Sequence, residues 1–395
     1  MSFRRRVGIA LALAFVPSVL LACMWDFDTL EQERSRFPTV LELITGKFPR
    51  HSRAFYEWRI QDREHKLQGD PDNLAYIDDL AVAYDKIGQH ARAIDIMQAA
   101  EKKNPRRYET EANLGTFYIH AGHFKKGLEH IDQALRLNAN AHFGREKYQR
   151  LLVQYLLTRR HGGKLSLPLA AEQDPTSGKV FRKTFAAFLR DQHPAKRPDS
   201  ADRQAAIKGV LGMMRFGQFD SPILLEALGS LLSDGPAYPH EDAKRLAARA
   251  YLQASYAVQD TATRQDYRAL AAQVLEMQTM NRATMAPLPL GVLESSFKEE
   301  LAEAQAWYET VERDEQTWIR EGKNPEVEFT RKYYDEPRIL TEEDEGPEPW
   351  PDRLMKAALV VGGFGLCLVM VTLFLVWRSL GRRPRRSTET VESLR

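Results

Sequence analysis

A gapless internal repeat constrains this chain more than any other feature. From Leu74 it reads LAYIDDLAVAYDKIGQHARAIDIMQAAEKKNPRR, and from Tyr108 it reads YETEANLGTFYIHAGHFKKGLEHIDQALRLNANA. The second segment begins where the first ends, and the two align without an insertion. Leu80 matches Leu114, Ala81 matches Gly115, Tyr84 matches Tyr118, Gly88 matches Gly122, Ala93 matches Gly127 and Ala100 matches Ala134. Residues four apart, such as Leu80 and Tyr84, share one face of a helix. The small residues at Ala81/Gly115 and Ala100/Ala134 let two helices approach closely. Gly88 and Gly122 suit a turn in which a left-handed backbone is cheap only for glycine. Each unit is thus a helix–turn–helix. Two such units leave outer faces uncovered, so flanking helices must cap them.

This pattern resembles the tetratricopeptide repeat (TPR), a 34-residue helix–turn–helix unit. Pro105 stands where that family ends its second helix, and Ala139 replaces it in the second copy. The fold class expected is all-α: a TPR-type helical array (α-solenoid) plus one C-terminal transmembrane helix. The resemblance also implies a concave face, lined by first helices, that binds a peptide or protein segment. In this sequence that face would carry Asp78, Val82 and Asp85 from the first unit. The second unit would add Glu109, Ala112, Thr116, Ile119 and His120. The family's carboxylate clamp needs Lys and Asn at such positions, and only Asn113 is present. With three acids on the face, the expected ligand is a basic or mixed peptide.

Around the repeats the chain divides as follows. Residues 1–22 form an export signal, 23–73 an N-terminal helical cap, and 74–141 the two repeat units. Residues 142–290 hold further helices with a degenerate repeat, in which Ile223–Leu232 pairs with a helix carrying Ala247, Tyr251 and Ala254. Residues 291–323 form an amphipathic helix opening at a Ser296/Glu299 capping box, with Phe297, Leu301, Ala304, Tyr308, Val311 and Trp318 on one face. Glu315 interrupts that apolar series. An acidic, Pro-containing linker follows at 324–354, a membrane span at 355–377 and a basic tail at 378–395.

Both ends carry membrane signals. Arg4, Arg5 and Arg6 precede an uncharged run from Val7 to Ala22, as in an export signal. The run ends Leu-Leu-Ala-Cys, which resembles a lipoprotein lipobox and makes Cys23 the candidate lipidated residue. Ordinary cleavage and an uncleaved anchor stay open beside it. Near the other end, Ala357–Trp377 carries no charge and would reach roughly 31 Å as a helix. Its Leu, Val and Phe residues together favour insertion by about 5 kcal/mol. Arg378, Arg382, Arg383, Arg385 and Arg386 follow the span, so the positive-inside rule puts the C-terminus in the cytoplasm. The large N-terminal part is then extracytoplasmic (periplasmic), on a single-pass cytoplasmic-membrane protein.

Signals for chemistry are weak. A formal charge of +2 on 395 residues gives no support for nucleic-acid binding by bulk charge. Two cysteines exclude a disulfide scaffold or a Cys-rich zinc module. Ser295-x-x-Lys298 has a penicillin-binding-protein spacing, but the partner motifs are missing, so ordinary polar residues at a helix start are expected. His120, His123 and His130 read as exposed turn histidines, with no metal ligand set. The expectation is a non-enzyme, without cofactor, metal or small-molecule substrate, whose partners are a protein or peptide and the membrane. A self-associating envelope component and an enzyme with an unrecognised site are the alternatives.

Overall fold

The computed structural model describes residues 37–139, 144–173, 180–192, 200–234, 243–279 and 288–334. The two terminal membrane signals, Cys23 and the basic tail lie outside these residues. Among the described residues no helix is long and apolar enough to cross a membrane. They form an all-α fold with two small β-ladders.

The repeat in the sequence is also a repeat in the backbone. Helices α1 (Val40–Thr45) and α2 (Arg53–Gly69) come first. Then α3 (Leu74–Lys86) and α4 (His90–Lys103) are followed by α5 (Tyr108–His120) and α6 (Phe124–Leu137). Each bound of α3 and α4 recurs in α5 and α6 at the aligned position of the second copy. The turns recur too. Gly88 and Gly122 hold φ of 84° and 79°. Gly88 N–H donates to Asp85 O at 2.9 Å and Gln89 N–H to Tyr84 O at 2.9 Å. Their counterparts are Gly122 to Ile119 O at 2.9 Å and His123 to Tyr118 O at 2.7 Å. The left-handed glycine reverses the chain and satisfies the last carbonyls of the first helix.

Small residues set the spacing between the paired helices. A Cβ on Gly127 of α6 would lie 2.9 Å from the Gly115 carbonyl oxygen of α5 and 2.5 Å from Ile119 Cγ1. Backbone cannot swing aside as a side chain can. Gly127→Ala is therefore expected to destabilise the fold by about 1–3 kcal/mol, although alanine favours helix by about 1 kcal/mol. Gly69→Ala, where a Cβ meets nothing within 4 Å, should be neutral or stabilising. Equilibrium unfolding of the two variants checks the opposite signs.

Helix α7 (Arg145–Thr158) continues the stack, with Tyr148 and Leu152 buried one repeat period beyond Leu114 and Tyr118. Two ladders follow: β1 (Arg160–His161) with β2 (Lys164–Leu165), and β3 (Ala171–Gln173) with β4 (Val180–Arg182), both antiparallel. Between β1 and β2, Gly162 and Gly163, both at positive φ, form a two-residue hairpin turn. After α8 (Phe185–Asp191) and α9 (Ser200–Phe216), α10 (Pro222–Ser233) and α11 (Ala243–Ala257) pack against each other, followed by α12 (Thr261–Thr279). Every residue of α10 from Ile223 to Leu232 is buried, which makes it a core helix. Gly229 faces the Tyr251 ring, and Ala247, Tyr251 and Ala254 are buried.

The last long helix, α13 (Leu290–Arg320), is a brace. Near its start Glu294 accepts both arms of Arg268 at 2.7 Å and the Tyr256 hydroxyl at 2.9 Å, and Glu300 accepts Arg249. Further along, Arg50 stacks on Tyr308 at 3.5 Å, and Glu315 accepts Ser52 N–H at 2.8 Å. Helix α1 packs against α9, α11 and α13. The first described helices therefore meet the last ones, and the array curls back on itself.

Three expectations change. Helix α13 begins at Leu290 with Pro289 at its N-cap, so Ser296 lies inside the helix and no capping box forms there. Ser295 and Lys298 are exposed in the helix interior, and Lys298 pairs with Glu294 at 3.4 Å. The linker does not begin at 324. Asn324 caps a short α14 (Pro325–Phe329), and a π-helical turn (Thr330–Tyr334) follows. Phe329 is fully buried, and Glu326 bonds to Arg59 and Arg63 of α2. With Lys332 and Tyr333 bonded to Asp314 of α13, these contacts dock a segment whose composition reads as linker.

Candidate functional site

The residues expected to line a groove are mostly inside the protein. Asp78, Val82, Asp85, Ala112, Thr116 and Ile119 are each no more than 3% exposed, and His120 is 7%. Glu109 alone is half-buried, where its carboxylate meets Arg107 at 3.2 Å. Helix α5 is buried from Thr110 to His120 without a break. Helix α7 covers part of it: Gln149 Nε2 donates to Thr116 Oγ1 at 3.2 Å, and the Tyr108 hydroxyl donates to Glu146 at 2.7 Å. On α3, Lys86 Nζ donates to the C-terminal carbonyl of α9 at Phe216 and to Gly217 O. The chain's own elements thus occupy the face that an open array would leave to a ligand.

The acids expected to attract a basic peptide already have partners. Asp78 accepts a two-armed contact from Arg107, at 2.8 and 2.5 Å. Burial pushes its carboxyl up to about 7, and the guanidinium offsets only part of that rise. Asp79, beside it, accepts from Arg63 at 2.8 Å.

Asp85 has a different environment. Its Oδ1 meets His90 Nδ1 at 2.7 Å, and its Oδ2 meets His120 Nδ1 at 2.7 Å. The two imidazole rings stand edge to face with centroids 5.6 Å apart. Asp85 lies in the last turn of α3, His90 begins α4 across the Gly88 turn, and His120 ends α5. Three elements therefore converge on one carboxylate. Burial alone would raise the Asp85 carboxyl, but His120 and His90 outweigh it and hold it at about 2.

A second pair lies within the second unit. His130 Nδ1 meets Glu111 Oε2 at 2.7 Å and stacks on Tyr118 at 5.4 Å, with Glu101 close by. The equivalent positions in the first unit are Ile77 and Ile96, which pack on its apolar core. So only His123 is the exposed turn histidine that sequence suggested. His120 is buried and His130 half-buried, each against an acid from another helix. A histidine at the last residue of a first helix, with an acid one residue earlier in the preceding copy, was the available signal.

No family model matches the chain, and no curated protein matches it at a significant level.

Proposed function

We propose that this chain is a TPR-type scaffold, displayed outside the cytoplasmic membrane by its C-terminal span, that recruits a protein partner. The recurrence of all four helix bounds at aligned positions of the two copies is the observation that supports the reading most strongly. The membrane part rests on the sequence signals alone: the uncharged run Ala357–Trp377, the arginines behind it and the leader before Cys23. No catalytic role is assigned, and the mature N-terminus is left to a mass measurement.

Because the first-helix face is filled, the partner is assigned to the solvent-facing side of α4 and α6. Arg92, Asp95, Lys125, Lys126 and Glu129 are exposed there and mix both signs. Such a rim favours a partner of mixed charge through complementarity. Reversing Asp95, Lys125 and Glu129 together should lower recovery of the partner from membranes about tenfold, at unchanged helical content. A wild-type chain that co-purifies nothing, or a triple variant that recovers as much as wild type, rejects the assignment. A reporter fused after Arg395 should be active only on the cytoplasmic side.

A further inference from the structure

We propose that Asp85, His90 and His120 form a binding site for a transition-metal dication of the zinc class, held where the first repeat unit meets the second. Two imidazoles and one carboxylate are a donor set that zinc, cobalt and nickel accept, with a fourth position left for solvent. The three donor atoms lie within 4.8 Å of one another. Both imidazoles already turn Nδ1 toward the same carboxylate, so one ion reaches all three side chains. Bonds of about 2.0–2.2 Å would open each 2.7 Å nitrogen–oxygen separation by several tenths of an ångström and draw the two nitrogens together. Rotation of the side chains supplies that change. Any proton on a coordinating Nδ1 leaves it, and the neutral ring carries its hydrogen on Nε2 instead.

Burial and access both suit an ion. The side chains of Asp85 and His120 are each 2% exposed, while His90 is 19% exposed at the start of α4. The exposed Gly88–Gln89 turn beside His90 gives the way in. The residues come from α3, α4 and α5, so a bound ion fastens one unit to the next. The Glu101/Glu111/His130 group offers only one imidazole and is half-open, which makes it the internal comparison.

The test is titration of the full chain, stripped with a chelator, with Zn²⁺ by calorimetry and with Co²⁺ by its visible absorption. One ion per chain and a rise in the unfolding midpoint with zinc are expected. His90→Ala, at a partly exposed position that should leave the fold intact, should weaken binding by at least about a hundredfold. His120→Ala should do the same, and His130→Ala should leave the affinity unchanged. Absence of binding by the wild-type chain overturns the proposal. So does binding that survives His90→Ala or is lost with His130→Ala.

Discussion

Glu226→Ala should destabilise this protein by about 3 kcal/mol or more, because one buried carboxylate ties three separate segments together. Glu226 sits on the fully buried α10 and is 3% exposed. One oxygen accepts Leu169 N–H at 2.9 Å and the Tyr267 hydroxyl at 2.8 Å, and the other accepts Ala170 N–H at 2.7 Å. The side chain thus joins α10, α12 and the loop before β3. Alanine would strand three donors, at about 1–3 kcal/mol each, offset by relief of the buried charge. Glu226→Gln is a poor rescue. Its amide nitrogen must face either the Ala170 N–H or the Leu169 N–H, and neither can reverse its role, so about half the loss should remain. Burial raises the Glu226 carboxyl above its ordinary value. An acid so raised contributes most stability at low pH, and loses that part as pH rises from the ordinary carboxyl range through the elevated value. The stability difference between wild type and Glu226→Ala should therefore shrink with rising pH. Urea unfolding gives the differences, and hydrogen exchange at the Leu169 and Ala170 amides reports the site directly. A loss under about 1 kcal/mol, the size of a single ordinary hydrogen bond, with unchanged exchange would falsify this account.

The local rules carried far in the repeated segment because they are local. Matched small residues, two glycines and a fixed period locate four helices and two turns, and the structure places them there. What closes the array is non-local and was not legible. Asn324, Glu326 and Phe329 lie in a stretch with linker composition, yet Asn324 starts a helix there, Glu326 ties it to α2 and Phe329 packs it on α13. The expected groove failed for a related reason. Its positions follow from the period, but whether they see water depends on α7 and α9, which lie outside the two copies. The hairpin at Gly162-Gly163 was readable from its dipeptide, since two adjacent glycines between polar residues favour a mirror-image turn. Among the candidate site residues, Asp85 and His120 were expected on an open face, and the structure buries them against each other. A peptide was expected where each finds the other.

Glu315 broke the apolar series of α13 in the sequence, and replacing it should be as costly as losing Glu226. It is fully buried, and it accepts His51 Nδ1 at 2.5 Å and Ser52 N–H at 2.8 Å. His51 in turn stacks on Phe55 at 3.5 Å and lies 4.0 Å from the Phe329 ring. The acid therefore fixes the start of α2, whose Ser52 also caps the helix through Phe55 N–H. Glu315→Ala removes one partner of a buried hydrogen-bonded pair, for an expected loss of about 3–5 kcal/mol. Glutamine should behave differently here than at position 226. Its carbonyl oxygen can take the Ser52 N–H while its amide donates to His51 Nδ1, because imidazole can move its proton to Nε2. Placing that proton at the buried Nε2 has its own cost, so Glu315→Gln should lose about 1–3 kcal/mol, less than Glu315→Ala. The two variants separate a geometric requirement from a requirement for charge. Hydrogen exchange should show the first turn of α2 and the last turns of α13 opening in Glu315→Ala while α10–α12 stay protected, since the bonds to Glu315 come from His51 and Ser52. Equal losses in both variants would mean that the negative charge, rather than the pair of acceptors, holds the brace to the first helices.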